Sequence, residues 1–81
     1  MSPKSAKKLQ ARKELVSVCL RKCALEVDPL TGTLAALARK IDYHPLTLSE
    51  WIARGRVPPK AARVLAKAFP EIANYEALTQ G

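Results

Sequence analysis

From Lys7 to about Glu26 the apolar residues fall at helical spacing. Leu9, Val16, Cys19, Leu20, Cys23 and Val27 recur at intervals of three, four and seven, which gathers them on one face of a long helix. Ala11, Val18 and Leu25 form a second stripe at seven-residue spacing, off to one side of the first. Asp28-Pro29 ends this helix, because a residue before proline is pushed out of the helical region. Thr31-Gly32-Thr33 then reads as a turn, with Thr33 placed to cap a second helix over 34–40. A break at Asp42-Tyr43-His44 leads to Pro45, which suits the first turn of a third helix running to about Ala53, with Leu48, Trp51 and Ile52 inward. Gly55 stops that helix, and Arg56-Val57-Pro58 is a short extended link. Pro59 opens a fourth helix to about Phe69, burying Ala61, Ala62, Leu65, Ala68 and Phe69. After Pro70, residues 71–78 predict a last short helix with Ile72 and Tyr75 on its buried side. No segment alternates apolar and polar residues over a strand's length. The expected fold is all-α, a bundle of four or five helices.

Residues 1–6 predict a loose basic arm, and residues 7–81 one small domain. A chain of 81 residues buries only about 60% of the surface that it exposes when unfolded. Hydrophobic content of 48% still provides a core, so wholesale disorder is excluded. Cys19 and Cys23, four apart on one helix face, read as reduced core thiols, since a disulfide across one helical turn would be strained. No apolar run approaches the roughly 18 residues that span a bilayer. Met1–Lys13 also lacks the apolar stretch of a secretory signal. The expected location is the bacterial cytoplasm, on the nucleoid, with no membrane partner.

Charge changes this picture most. The net charge is +7, which points to a polyanionic partner. Residues 1–13 carry five bases and no acid, giving +5, and residues 39–67 carry seven bases against Asp42 and Glu50, again +5. The stretch between them sums to −1, and the last fourteen residues to −2. The first concentration, Lys4 to Lys13, is either a solvated helix face or an arm that tracks phosphates.

The second concentration surrounds a recognisable spacing. With Leu34 as the first position, Leu37 and Ile41 occupy the fourth and eighth, Ala38 the fifth, Tyr43 the tenth, Leu48 the fifteenth and Trp51 the eighteenth. Two short helices that cross closely need a small residue such as Ala38 at the crossing and apolar residues at these offsets. The stretch Gly32-Thr33, Leu37-Ala38, Ser49-Glu50-Trp51 and Gly55-Arg56-Val57-Pro58 resembles the Cro/CI-type helix-turn-helix of small phage and plasmid repressors. The resemblance covers roughly residues 30–70, with the motif itself over 33–54. It departs from the family at the turn, where Asp42 stands in place of the usual Gly, and at Tyr43, where Ile or Val is usual. Asp enters the left-handed region more readily than most residues, so the turn should survive.

The resemblance implies that the third helix lies in the major groove. His44, Pro45, Leu46, Thr47, Ser49 and Glu50 would then face bases, with Arg54 just beyond them. Thr47 and Ser49 can donate or accept, Leu46 can meet a thymine methyl, and Glu50 can accept from cytosine N4. Glu50 could instead pair with Arg54 one turn on. Expected phosphate contacts are Thr33 at the start of the second helix, Arg39 and Lys40, and Arg54, Arg56 and Lys60 around the start of the fourth. Trp51 reads as core.

The expected function is that of a sequence-specific repressor binding double-stranded operator DNA as a homodimer. Either Tyr75 and Leu78 fold back over the second stripe of the first helix, or that stripe meets another subunit. The candidate dimer seams are Val18 and Leu25 on the first helix, and Ile72, Tyr75 and Leu78 at the C-terminal end. An accessory DNA-binding factor without promoter repression, of the antitoxin or excisionase kind, is the main alternative. A nonspecific RNA or membrane-surface binder acting through the N-terminal helix is another. An enzyme is the weakest reading, since no nucleophile–base or paired-carboxylate arrangement is present and His44 stands alone. No cofactor, metal or small-molecule ligand is expected.

Overall fold

The computed structural model describes residues 3–80, with side chains from residue 7 onward. Its elements are α1 (Pro3–Val27), α2 (Leu34–Ile41), α3 (Pro45–Arg54), α4 (Pro59–Ala68) and α5 (Tyr75–Thr79). The chain is all-helical, as the periodicity requires. α1 packs on α2 and α3, α2 packs on α3, and α4 packs on α5.

The described residues enclose one apolar core. Val16, Leu20, Cys23 and Ala24 enter it from α1, Leu37, Ala38 and Ile41 from α2, and Leu48 and Trp51 from α3. Ala61, Ala62 and Leu65 of α4, then Phe69 and Leu78, close the other side. Tyr43 lies at the edge and meets Trp51 edge-on, with ring centroids 5.1 Å apart and planes at 71°, a favoured aromatic geometry. Neither cysteine is in a disulfide. Cys23 is buried, and its hydrogen bond with Cys19, followed by burial itself, pushes its thiol well above the ordinary range. Both effects keep it protonated, as an inert core group.

Several boundaries differ from expectation. α1 is helical from Pro3, so the expected loose arm over residues 1–6 is wrong from there on. Met1 and Ser2 lie outside the described residues. Pro is well suited to a helix's first turn, and the Lys, Ala, Leu, Gln and Arg residues that follow are strong helix formers. The molecule measures 39 × 22 × 20 Å, and the 25 residues of α1 span about 37 Å of the long dimension. The start of α1 therefore overhangs the bundle. Leu9, expected on the core face, is 42% exposed for this reason.

At the C-terminal end, Ala68 is exposed and the helix stops there, with Phe69 turning into the core at φ −130°. Pro70 excludes helical geometry at the residue before it. The last helix begins at Tyr75 rather than at 71, because Asn74 caps it by accepting from the Ala77 N–H at 3.2 Å. Between α1 and α2, the Asp28 carboxylate accepts from the Leu30 and Thr31 N–H groups and from the Thr31 hydroxyl. These bonds, the Thr31 hydroxyl's first, hold its carboxyl below the ordinary range.

The α2–α3 turn has the left-handed backbone that Asp42 was expected to support. Asp42 sits at φ 62°, ψ 47°, the left-handed region. The N–H of Tyr43 donates to the Ala38 carbonyl at 2.8 Å, which closes the end of α2. Asp42→Gly is expected to raise stability by about 0.5–1 kcal/mol, with relief of the left-handed geometry exceeding the added chain entropy. Denaturant unfolding showing no gain would mean that the turn carries no strain.

Candidate nucleic-acid interface

α3 is held by caps at both ends. His44 Nδ1 accepts from the Leu46 N–H at 3.1 Å, an N-cap in which Nδ1 carries no hydrogen and Nε2 is left to donate. Pro45 follows at the first helical position. Gly55 terminates the helix at φ 74°, ψ 20°, and the Arg56 N–H donates back to the Trp51 carbonyl at 3.2 Å. Leu48 and Trp51 anchor the inner face.

The outer face follows from the same period. Pro45, Leu46, Ser49, Glu50 and Ala53 are all exposed, and their spacings place them on one side of the helix. Leu46 is 68% exposed. Thr47 is half-buried at the boundary of this face rather than fully on it. Glu50 and Arg54 are both exposed.

The basic residues divide into two groups. Arg54 and Arg56 line one concavity of about 370 Å³ together with Val57, Pro58, Pro59 and Thr79. The start of α4 forms its wall, and no side chain caps that helix. Pro58 and Pro59 have no N–H and Ala61 is buried, so the Lys60 N–H is the donor left open there. Lys60 is exposed on the same first turn. The other group lies on α2, and the structure does not bring it together as one site. The Thr33 hydroxyl accepts from the Ala36 N–H at 3.3 Å at one end, whereas Arg39 and Lys40 occupy the last turn, about 10 Å away along the axis.

One basic residue has a role that sequence reasoning missed. Arg12, counted with the N-terminal charge run, is half-buried. Its Nε donates to the Gly55 carbonyl at 3.1 Å, and its Nη2 donates to the Ala77 and Leu78 carbonyls at 2.6 and 3.4 Å. The Val57 N–H donates to the same Leu78 carbonyl at 2.8 Å. α1, the α3–α4 link and α5 are thereby tied at one point, at the Gly55 that stands between Arg54 and Arg56 in sequence. The available signal was position: Arg12 falls on the buried side of α1, one turn before Val16.

The candidate dimer residues also separate. Val18 and Leu25 are 51% and 50% exposed. Leu78 is buried within the monomer, which removes it as a dimer contact, because α5 turns it into the core. Ile72 and Tyr75 are half-buried against the core, and the Arg63 guanidinium lies 5.7 Å from the Tyr75 ring centroid.

Among the described residues no group of three or more His, Cys, Asp or Glu side chains could hold a metal ion. No described helix is long and apolar enough to cross a membrane. No protein family, curated protein or solved structure matches the chain.

Proposed function

We propose that this chain is a sequence-specific DNA-binding repressor, acting as a dimer on double-stranded operator DNA. One observation carries the reading. α3 is capped at both ends and anchored in the core by Leu48 and Trp51, presents Leu46, Ser49 and Glu50 outward, and is flanked at its end by the Arg54–Arg56 concavity on a chain of net charge +7. A helix so presented fits the major groove with its N-terminal half toward base edges.

The roles divide by chemistry. Ser49 and Thr47 offer hydroxyls, Glu50 accepts from cytosine N4, and Leu46 covers a thymine methyl. His44 donates through Nε2, and Pro45 packs at the groove entrance. Arg54 lies between base and backbone. Phosphates are held by Arg56 and by the side chain and N–H of Lys60 on one side, and by Thr33 on the other, with Arg39 and Lys40 as outer contacts. Phosphate contacts set affinity and salt dependence, whereas the α3 face sets sequence. Repression follows from occupying DNA that RNA polymerase needs, with the protein's own concentration as the control.

The test is selection of bound fragments from random duplex DNA, followed by titration at several salt concentrations. A two-fold symmetric site is expected. Arg56→Ala should weaken binding to every sequence and reduce the salt slope by about one unit. Ser49→Ala should instead alter preference among site variants by about 1–3 kcal/mol at the contacted base pair. Selection that enriches no sequence would overturn the reading. Uniform loss on Ser49→Ala would move base recognition away from α3.

A further inference from the structure

α1 carries an apolar seam that the monomer leaves uncovered. Lys8, Ala11, Leu15, Val18, Lys22 and Leu25 recur at alternating spacings of three and four, and all six are exposed. The core-facing Val16, Leu20 and Cys23 lie on the other side of the helix. Alternating three–four spacing is the pattern of a helix that packs against another helix along its length. Beside Leu15 and Val18, a groove of about 420 Å³ runs between α1 and the C-terminal segment at Ile72 and Ala77. That segment flanks the seam without closing it.

We infer that the seam is filled by α1 of a second copy, running antiparallel about a two-fold axis between Leu15 and Val18. The charges beside the seam select both occupant and register. Lys7, Glu14 and Arg21 form one flanking row at seven-residue spacing, and Asp28 continues it just past the helix end. In an antiparallel pair centred between Leu15 and Val18, Glu14 of each copy faces Arg21 of the other, and Lys7 faces Asp28. Every pair in the row is then attractive. Sliding the pair by one heptad sets Glu14 against Glu14, or Arg21 against Arg21. A parallel pair stacks Lys22 on Lys22 and Lys8 on Lys8 within the seam.

The antiparallel register also fits by size. Leu15 meets Val18 twice at the centre. Ala11 leaves room for the aliphatic stem of Lys22, and Lys8 lays its stem across Leu25, with both ammonium groups reaching water. The C-terminal alternative offers less, because Leu78 is buried and Arg63 lies against Tyr75. The central apolar contact is small, so association on the order of micromolar is expected.

The experiment is sedimentation equilibrium of the full chain without DNA, so it fails separately from the DNA-binding reading. The wild-type chain should dimerise reversibly. Val18→Glu should be monomeric with unchanged helicity, since Val18 touches solvent rather than core. Glu14→Arg and Arg21→Glu should each raise the dissociation constant about tenfold, by turning two attractive pairs repulsive. The combined Glu14→Arg/Arg21→Glu chain should return to within about threefold of wild type, since reversal of both restores every pair. A wild-type chain that stays monomeric at about 100 μM, well above that micromolar range, would overturn the proposal. So would a dimer that survives Val18→Glu, or single reversals that have no effect or are not repaired by combination.

Discussion

Arg12→Ala is expected to lower the unfolding free energy by about 2–3 kcal/mol, because it removes charge-assisted hydrogen bonds from a half-buried guanidinium to the carbonyls of Gly55, Ala77 and Leu78. A domain this size has little stability in reserve, and 1 kcal/mol corresponds to about 4–8 °C in Tm. The drop should therefore be plain in a thermal melt. Arg12→Lys should recover only part of it. An ammonium is a point donor and cannot span carbonyls on two separate segments as the guanidinium fork does. On the proposed DNA-binding reading, affinity of the folded fraction should change less for Arg12→Ala than for Arg56→Ala, because the Arg12 side chain is turned toward protein carbonyls. A stability change under 0.5 kcal/mol, within the usual range for a surface substitution, would show that water satisfies the three carbonyls equally well.

Gly55→Val is expected to destabilise by about 3 kcal/mol or more, through two effects at one atom. The backbone sits at φ 74°, where a β-branched residue is strained. A Cβ there would also come within 2.9 Å of the Arg12 Cβ, so α1 would have to move off the end of α3. Gly55→Ala should fall between wild type and Gly55→Val, since it adds the close contact without branching. Combining Gly55→Val with Arg12→Ala should give less than the sum of the two losses, because both disturb the same junction. Additive losses in denaturant titrations would mean that the junction is not a unit.

These two residues mark the limit of what the amino-acid pattern conveys. Gly55 was legible as a helix stop, but its burial against Arg12 was not. The stop is a property of φ at one residue, whereas the contact joins residues 43 positions apart. The outward face of α3 was legible for a related reason. Once Leu48 and Trp51 are placed inward, the helical period assigns Leu46, Ser49 and Glu50 to the other side. Thr47 lies at the edge of that face, and only the packing of neighbouring helices decides how much of it remains exposed.

The ends of the chain were read least well. Helix propensity extends α1 back to Pro3, and no tertiary contact was needed to predict that. Leu9 illustrates the reverse case. Its spacing is correct for the core face, but the bundle does not reach far enough along α1 to cover it. Leu78 was one of the candidate dimer residues, and the start of α5 at Asn74 rotates it into the core instead.

The sequence by itself determined the all-helical class, the turn at Asp42 and the inner and outer faces of α2 and α3. Each depends on local backbone preference or on a period of 3.6 residues. Only the tertiary structure decided where the positive charge goes. Arg12 leaves the N-terminal basic run to bind carbonyls from two distant segments, and Arg54 and Arg56 share a concavity at the uncapped start of α4. A charge total is additive along the chain. Its use depends on which carbonyls and helix ends the fold brings within reach, and that follows from packing between segments far apart in sequence.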